Sequence, residues 1–184
     1  MSERQTLIRS LHDIGLAAWF GGSLMGDIGL NGAAAAAKDP TERLKLASVG
    51  WAKWAPVQFA AMAVHGIGGV GLILGNKARL LKQPEARTNT YIKLAVTGAA
   101  IASTVYNGVL GAQQAKHSYE PVEGATEASA ASSGKLTSVQ RQQKIVQWVT
   151  PALTLVLLVL AAQQGEQQRP AAGLLKSAKD RFTR

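Results

Sequence analysis

The sequence predicts an all-α fold, a four-helix transmembrane bundle, from three observations. Four apolar segments, at about 11–36, 56–75, 91–112 and 147–163, each come near the ~20 residues that a helix needs to cross ~30 Å of hydrocarbon. The charged residues fall mainly in the gaps between these segments. Glycine is frequent inside them, and it is more common in transmembrane helices than in soluble ones. A soluble, alanine-rich bundle is the alternative, because the mean hydropathy of the chain is only +0.04.

Composition and charge narrow the classes of protein to consider. At 184 residues the chain suits one domain, with a transmembrane part at 1–168 and a basic cytoplasmic tail at 169–184. A net charge of +9 suits a nucleic-acid binder only if the basic residues cluster on one face with aromatic residues between them. They lie in the loops instead, so the expected partner is the lipid bilayer and not nucleic acid. Cysteine is absent, which excludes disulfides and thiolate ligands.

The first segment is interpreted as a retained helix rather than a cleaved signal peptide. Its basic start suits a signal peptide, but the apolar stretch that follows is too long and contains Asp13 and Asp27. Small residues fall on one face of this helix and include a GxxxG pair, a pattern that lets another helix approach closely. The glycines of this packing face are Gly15, Gly22, Gly26 and Gly29.

Polar residues occupy nearly the opposite face of the first helix, at Asp13, Asp27 and Asn31. An isolated Asp at the centre of a bilayer costs ~2.5–3.5 kcal/mol on insertion scales, so this face should meet protein or water as well. Because both faces need protein contact, we expect the first helix to be central in the bundle.

The stretch between the first two segments begins a helix at residues 39–42, Asp-Pro-Thr-Glu, where Asp39 can cap and Pro40 suits the first helical position. We expect a short interfacial outer helix here, or one that runs into the second segment. Pro56 then marks a helix start or a kink.

Orientation follows from the loops. Lys and Arg are more numerous in the N-terminal tail, the 76–93 loop and the C-terminal tail than in the other loops, which predicts that both termini are cytoplasmic. Amphipathic rings settle at membrane interfaces, and three tryptophans fall on the outer side in this topology. These are Trp51, Trp54 and Trp148. The expected location is the bacterial plasma membrane, with a multi-pass topology.

Four polar residues are expected to converge in the outer half of the bundle: Asp27, Asn31, His65 and Asn107. One hypothesis makes Asp27 and His65 a proton-exchanging pair or a solute site, because ionisable groups inside a membrane mark pathways by default. The other hypothesis makes Asp27 a hydrogen-bonded residue that only fixes the register of the helices.

The last third of the chain contains the longest gap, 113–137, whose small and polar composition predicts a mobile outer loop. Thr137 or Ser138 can cap the fourth helix, which we expect at 138–165, beginning outside the bilayer and bending near Pro151. The tail 169–184 suits a basic amphipathic helix on an anionic leaflet, and a disordered tail is the alternative. Its headgroup contacts are predicted at Lys176, Lys179 and Arg181.

No cofactor, metal or enzymatic activity is expected. A haem needs two His at matched depth, whereas His12 is placed near the inner edge and His65 near the middle, roughly 10 Å apart at 1.5 Å per residue. Asp27 with His65 would supply only two strong metal ligands. The glycines at 66–75 lie inside a helix and lack the context of a phosphate-binding loop, and no nucleophile with a base and an oxyanion hole can be assembled.

Three stretches, LHDIGLAAWFGGSLMG, VEGATEAS and GEQQRP, resemble small Ala/Gly-rich four-helix membrane proteins of actinobacteria. The resemblance covers most of the chain and implies architecture and location, but that group has no assigned activity, so it implies no site residue. The expected function is a non-enzymatic accessory or scaffold subunit of a larger membrane complex, of the lipid-transport or respiratory kind. The alternative is a small oligomeric transporter or channel that uses Asp27 and His65.

Overall fold

The computed structural model describes residues 3–82 and 84–167, and nearly all of them are helical. The helices are α1 (Glu3–Met25), a π-helical turn (Gly26–Leu30), α2 (Asn31–Ala35), α3 (Pro40–Gly75), α4 (Lys77–Lys82), α5 (Pro84–Ala115), α6 (Gly134–Val146) and α7 (Val149–Gln167). An antiparallel hairpin joins β1 (Val122–Gly124) to β2 (Glu127–Ala128). The all-α prediction is confirmed, and the tail 169–184 with its predicted headgroup contacts lies outside the described residues.

The long helices form four rods: α1 continued by the π turn and α2, then α3, α5, and α6 continued by α7. The first rod packs on α3 and α7, and α5 packs on α3 and on both helices of the last rod. By the packing of their backbones, each rod lies beside two others.

Three helical stretches of the described chain are long and apolar enough to cross a membrane: Pro40–Gly75, Ala86–Ala115 and Gly134–Gln163. The first rod, predicted as a fourth span, is not among them. His12, Asp13, Asp27 and Asn31 lower its apolar character.

Helix α3 is continuous, so the interfacial outer helix is not a separate element but the first part of a 36-residue helix. Asp39 caps it, because its carboxylate accepts a hydrogen bond from the backbone N–H of Thr41 at 2.9 Å. Pro56 neither starts nor ends it. At 1.5 Å per residue a helix of this length measures ~54 Å, well beyond a ~30 Å hydrocarbon core.

The gap 113–137 is folded, which corrects the prediction of a mobile loop. The guanidinium of Arg43 donates hydrogen bonds to the carbonyls of Ala37 and Val122, tying the hairpin to α3. The side-chain amide of Gln140 donates to the carbonyls of Gly124 and Ala125 and ties it to α6. These long-range bonds satisfy backbone carbonyls of the segment. The composition of the segment alone gives no sign that it is folded.

The last rod begins earlier than predicted. The hydroxyl of Ser133, and not Thr137 or Ser138, caps α6 by accepting a hydrogen bond from the N–H of Leu136. The rod is interrupted at residues 147–148, between the end of α6 at Val146 and the start of α7 at Val149, and the bend expected near Pro151 stays a prediction. Pro151 explains the break, because proline has no N–H for the carbonyl four residues earlier and its ring crowds that carbonyl.

Helices α1 and α3 meet antiparallel through glycines on both partners. A Cβ added at Gly15 would lie 2.5 Å from the backbone nitrogen of His65, and one added at Gly68 would overlap the backbone of His12. The rings of Trp54 and Trp51 occupy the spaces beside Gly22 and Gly26. These two tryptophans therefore fill the interface between α1 and α3, and their depth at the outer membrane surface stays a prediction.

Gly29 departs from the predicted packing face, because the three atoms nearest to a Cβ there all belong to Met25 of the same rod and none to α3. The π-helical turn at Gly26–Leu30 explains this, since it adds one residue to the turn and rotates everything that follows. Leu30 now packs against Gly50 of α3, and Ala34 is buried. In a regular helix Gly29 and Ala33 would take the places that Leu30 and Ala34 occupy here.

The contact between α1 and α3 can be tested with two glycines of the same helix. We expect Gly15→Ala to lower the free energy of unfolding by about 1–3 kcal/mol, because the methyl group overlaps the backbone of α3. Gly21→Ala adds its methyl to open space and should change stability by less than about 0.5 kcal/mol or raise it. Denaturant titration in detergent micelles measures both, and equal effects of the two variants would contradict the close approach.

The folded loop should be sensitive to acid. Hydrogen bonds to Glu120, first from the backbone N–H of Ser133 at 2.6 Å and then from His117 at 2.7 Å, hold the pKa of its carboxyl below the ordinary 4.5. The ionised carboxyl of Glu120 therefore contributes its full stabilisation at a pH above the ordinary pKa. This stabilisation is lost as the pH falls through the lowered pKa of the folded state. We expect the Ser133 amide signal in NMR spectra to shift only below pH 4.5. In Glu120→Gln this transition should be absent, and its persistence there would exclude Glu120 as the cause.

Candidate functional site

Polar side chains gather in two cavities of the described chain. The Asp27 cavity, about 290 Å³, lies beside the hairpin and is bounded by α1, α3, α5 and the last rod. The histidine cavity, about 240 Å³, lies at the α4 end and is lined by His12 and His65. Of the four residues predicted to converge, Asp27, Asn31 and Asn107 line the first cavity, whereas His65 lines the second.

Two asparagines of the Asp27 cavity are held by hydrogen bonds between rods. The side-chain oxygen of Asn31 accepts from the indole N–H of Trp51 at 2.9 Å, and its amide donates to Gln147 at 3.2 Å. The oxygen of Asn107 accepts from the amide of Gln143 at 2.7 Å. These bonds fix both asparagines as parts of the cavity wall. Their partners on the last rod, Gln147 and Gln143, could not be foreseen without knowing how the rods pack.

Asp27 itself is positioned by the π-helical turn and is partly buried. No hydrogen bond to its carboxylate is formed by the described residues, and it is the only charged residue among those that line the cavity. The rings of Trp51 and Phe59 lie in the same wall. A carboxylate among amides and aromatic faces suits a small cationic or polar solute, because rings attract cations and carboxylates accept their hydrogen bonds.

The hairpin closes one end of the Asp27 cavity, since Ala125 and Thr126 belong to its lining. Ala125 is buried together with Ala34 of α2 and Ala47 of α3. The arrangement makes access from that end depend on the folded loop. The sequence offered no signal for this cover, because it rests on contacts between distant parts of the chain.

The histidine cavity contains a contact that the sequence placed wrongly. His12 and His65 were expected roughly 10 Å apart in depth, but their ring centroids are 4.3 Å apart. The Nδ1–H of His65 donates to the backbone carbonyl of His12 at 3.1 Å, and Nδ1 of His12 lies 2.8 Å from the carboxylate of Asp13. The error arose because depth was measured from the centres of the apolar segments, and the helices extend well beyond them.

Trp19 separates the two cavities and was not singled out in the sequence. It is fully buried, and its indole N–H donates to the hydroxyl of Thr104 at 3.1 Å. Its ring also meets the edge of His65. The sequence did contain one sign of the role of Trp19, because this tryptophan lies far from both predicted membrane interfaces.

The expected pair of Asp27 and His65 does not form. Gly15 is the residue of α1 that contacts His65, and Asp27 lies twelve residues beyond Gly15, or ~18 Å along the helix.

Charged groups of opposite sign line the histidine cavity. Arg9 and Asp13 come from α1, and Lys93, which is partly buried, comes from α5. Among the Arg, Lys and Asp side chains of the lining, two are cationic and one is anionic. Among the described residues no group of three His, Cys, Asp or Glu is arranged to hold a metal ion.

Comparison with known proteins finds no family model, no curated protein and no solved structure that matches the chain. The resemblance to actinobacterial membrane proteins therefore stays a prediction from its motifs, and the function is argued from the geometry.

Proposed function

We propose that the chain is a multi-pass protein of the bacterial plasma membrane and serves as a non-enzymatic accessory or scaffold subunit of a larger membrane complex, lipid-transporting or respiratory. The observation that carries the proposal is an open face of small residues on α5. In the topology that we propose, all four rods cross the bilayer and both termini are cytoplasmic.

The open face of α5 consists of Ala95, Gly98, Ala99 and Ala102, all of which are exposed. Their spacing puts them on one side of the helix. A Cβ added at Gly98 would meet no atom within 4 Å. Small residues bring membrane helices together, and this chain already uses them so between α1 and α3. A second such face that no helix of residues 3–82 or 84–167 covers supports the binding of a helix of another subunit.

The packing of α1 supports its crossing despite its polar residues. It runs antiparallel to α3 from the contact of Ile8 with Gly71 to that of Leu30 with Gly50. A helix packed along the length of a membrane span lies at the same depth as that span. Its polar residues then face cavities or neighbouring rods, which is the arrangement that makes them tolerable in a bilayer.

The partner surface can be tested by native purification in mild detergent. We expect a stoichiometric partner to copurify with the unaltered protein and to be lost from Gly98→Leu, because a leucine fills the space a neighbouring helix would use. Gly21→Leu adds the same side chain to open space on α1 and should retain the partner. A lone homo-oligomer from the unaltered protein would contradict the subunit proposal.

The Asp27 cavity favours a second candidate, a small oligomeric transporter or channel. The sequence-based hypothesis pairs Asp27 with His65, whereas the lining of the cavity favours Asp27 with the amide and aromatic groups around it. Its single carboxylate would take up a cationic solute or a proton.

A flux measurement in liposomes tests whether the protein transports a solute or protons by using Asp27. For the transporter we expect Asp27→Asn to reduce proton or amine flux at least about tenfold, because removing a buried charged partner costs more than the ~1.4 kcal/mol of one decade. Asp13→Asn makes the same chemical change in the histidine cavity and should keep the flux. Unchanged flux in Asp27→Asn, with the oligomer intact, would rule the transporter out.

A further inference from the structure

We propose that the histidine cavity binds the phosphate group of an anionic phospholipid, whose acyl chains lie against the outside of the bundle between α3 and α5. This site needs no partner subunit and no flux through the Asp27 cavity. It therefore stands or falls independently of both functions above.

The cationic lining supplies the recognition of phosphate. Arg9 and Lys93 come from different rods and line the same cavity, against the single carboxylate of Asp13. Arginine offers a planar fork of donors to phosphate oxygens, and lysine offers a point charge. Asn76 and Thr90 add neutral hydrogen-bonding groups at the same end. The other charge-bearing groups in the lining are the imidazoles of His12 and His65.

The apolar lining shows how a lipid would enter. Val70, Ile73, Leu94 and Leu157 form walls of the cavity. Val70 on α3 and Leu94 on α5 are also exposed on the outer surface of the bundle, as is Gly66. The cavity therefore opens sideways between these two helices, onto the apolar surface that would face acyl chains.

Size limits what the cavity can hold. Its volume of about 240 Å³ is below the ~300–1,000 Å³ typical of sites that enclose a whole drug-sized ligand. It suits a phosphate and the glycerol next to it, with the chains outside in the bilayer. A free phosphate ion would use the charges but leave the apolar walls and the sideways opening without a role.

The contrast with the Asp27 cavity argues against a general affinity of this bundle for anions. The Asp27 cavity is lined by one carboxylate and by no Lys or Arg among the described residues. An anionic headgroup is thus favoured at one end of the bundle and disfavoured at the other.

The binding can be tested by native mass spectrometry of the full chain in detergent, with phosphatidylglycerol and phosphatidylcholine of identical chains as probes. We expect phosphatidylglycerol to be retained preferentially, and Lys93→Gln to weaken its retention about tenfold or more, because a charge-assisted hydrogen bond is lost. Arg87→Gln removes a charge from an exposed position of α5 outside the cavity and should leave retention unchanged. Equal losses in the two variants, or equal retention of the two lipids, would overturn the proposal.

A second variant keeps the test decisive if Lys93→Gln fails to fold. Gly66→Leu places a side chain at the mouth of the cavity, where a Cβ meets no atom within 4 Å, so the fold should persist. We expect it to block phosphatidylglycerol while Gly21→Leu does not. Retention by Gly66→Leu would exclude entry between α3 and α5. If millimolar inorganic phosphate binds as tightly as phosphatidylglycerol and displaces it, the site recognises the free ion alone, and the role proposed for the acyl chains is overturned.

Discussion

The close approach of α1 and α3 is the contact on which the rest of the structure depends. At Gly15 and Gly68 the two backbones touch with no side chain between them. In the proposed transmembrane arrangement, lipid gives helices no hydrophobic reason to associate, so close packing would be the principal source of attraction between them. The approach also fixes how both helices are rotated. With these faces together, His12 and His65 share one end of the interface, and Trp51 meets Asn31 at the other.

The same contact explains why one bundle contains two cavities of opposite charge. Trp19 fills the space between them and is tied to α5 through Thr104. If Asp27 lay beside the cations of the histidine cavity, their attraction in a medium of low dielectric would neutralise both sites. A spacing of ~18 Å along α1 and a fully buried indole keep them independent. The charges that line the two cavities therefore stay apart, cationic in excess at one and a single carboxylate at the other.

The sequence predicted what local periodicity determines and missed what depends on long-range contacts. The helical segments and the packing face of Gly15, Gly22 and Gly26 follow from residue spacing, and the structure has them in the interface. Gly29 was assigned to that face wrongly because the projection assumed 3.6 residues per turn through the π-helical turn. The hairpin was missed because Arg43 and Gln140, which hold it, belong to other elements and give no signal within the loop itself.

The π-helical turn lets the first rod both contact the hairpin and form the wall of the Asp27 cavity. A wide turn of this kind is rare and is found frequently at functional sites. Here it shifts the residues after Asp27 by one position, so that Leu30 enters the space at Gly50 and Ala34 reaches the buried cluster with Ala125 of the hairpin. The seat of the hairpin and the wall that holds Asp27 are thus set by the same irregularity. A regular helix would bring Gly29 and Ala33 to α3 instead, and would remove the contact by which the loop closes the cavity.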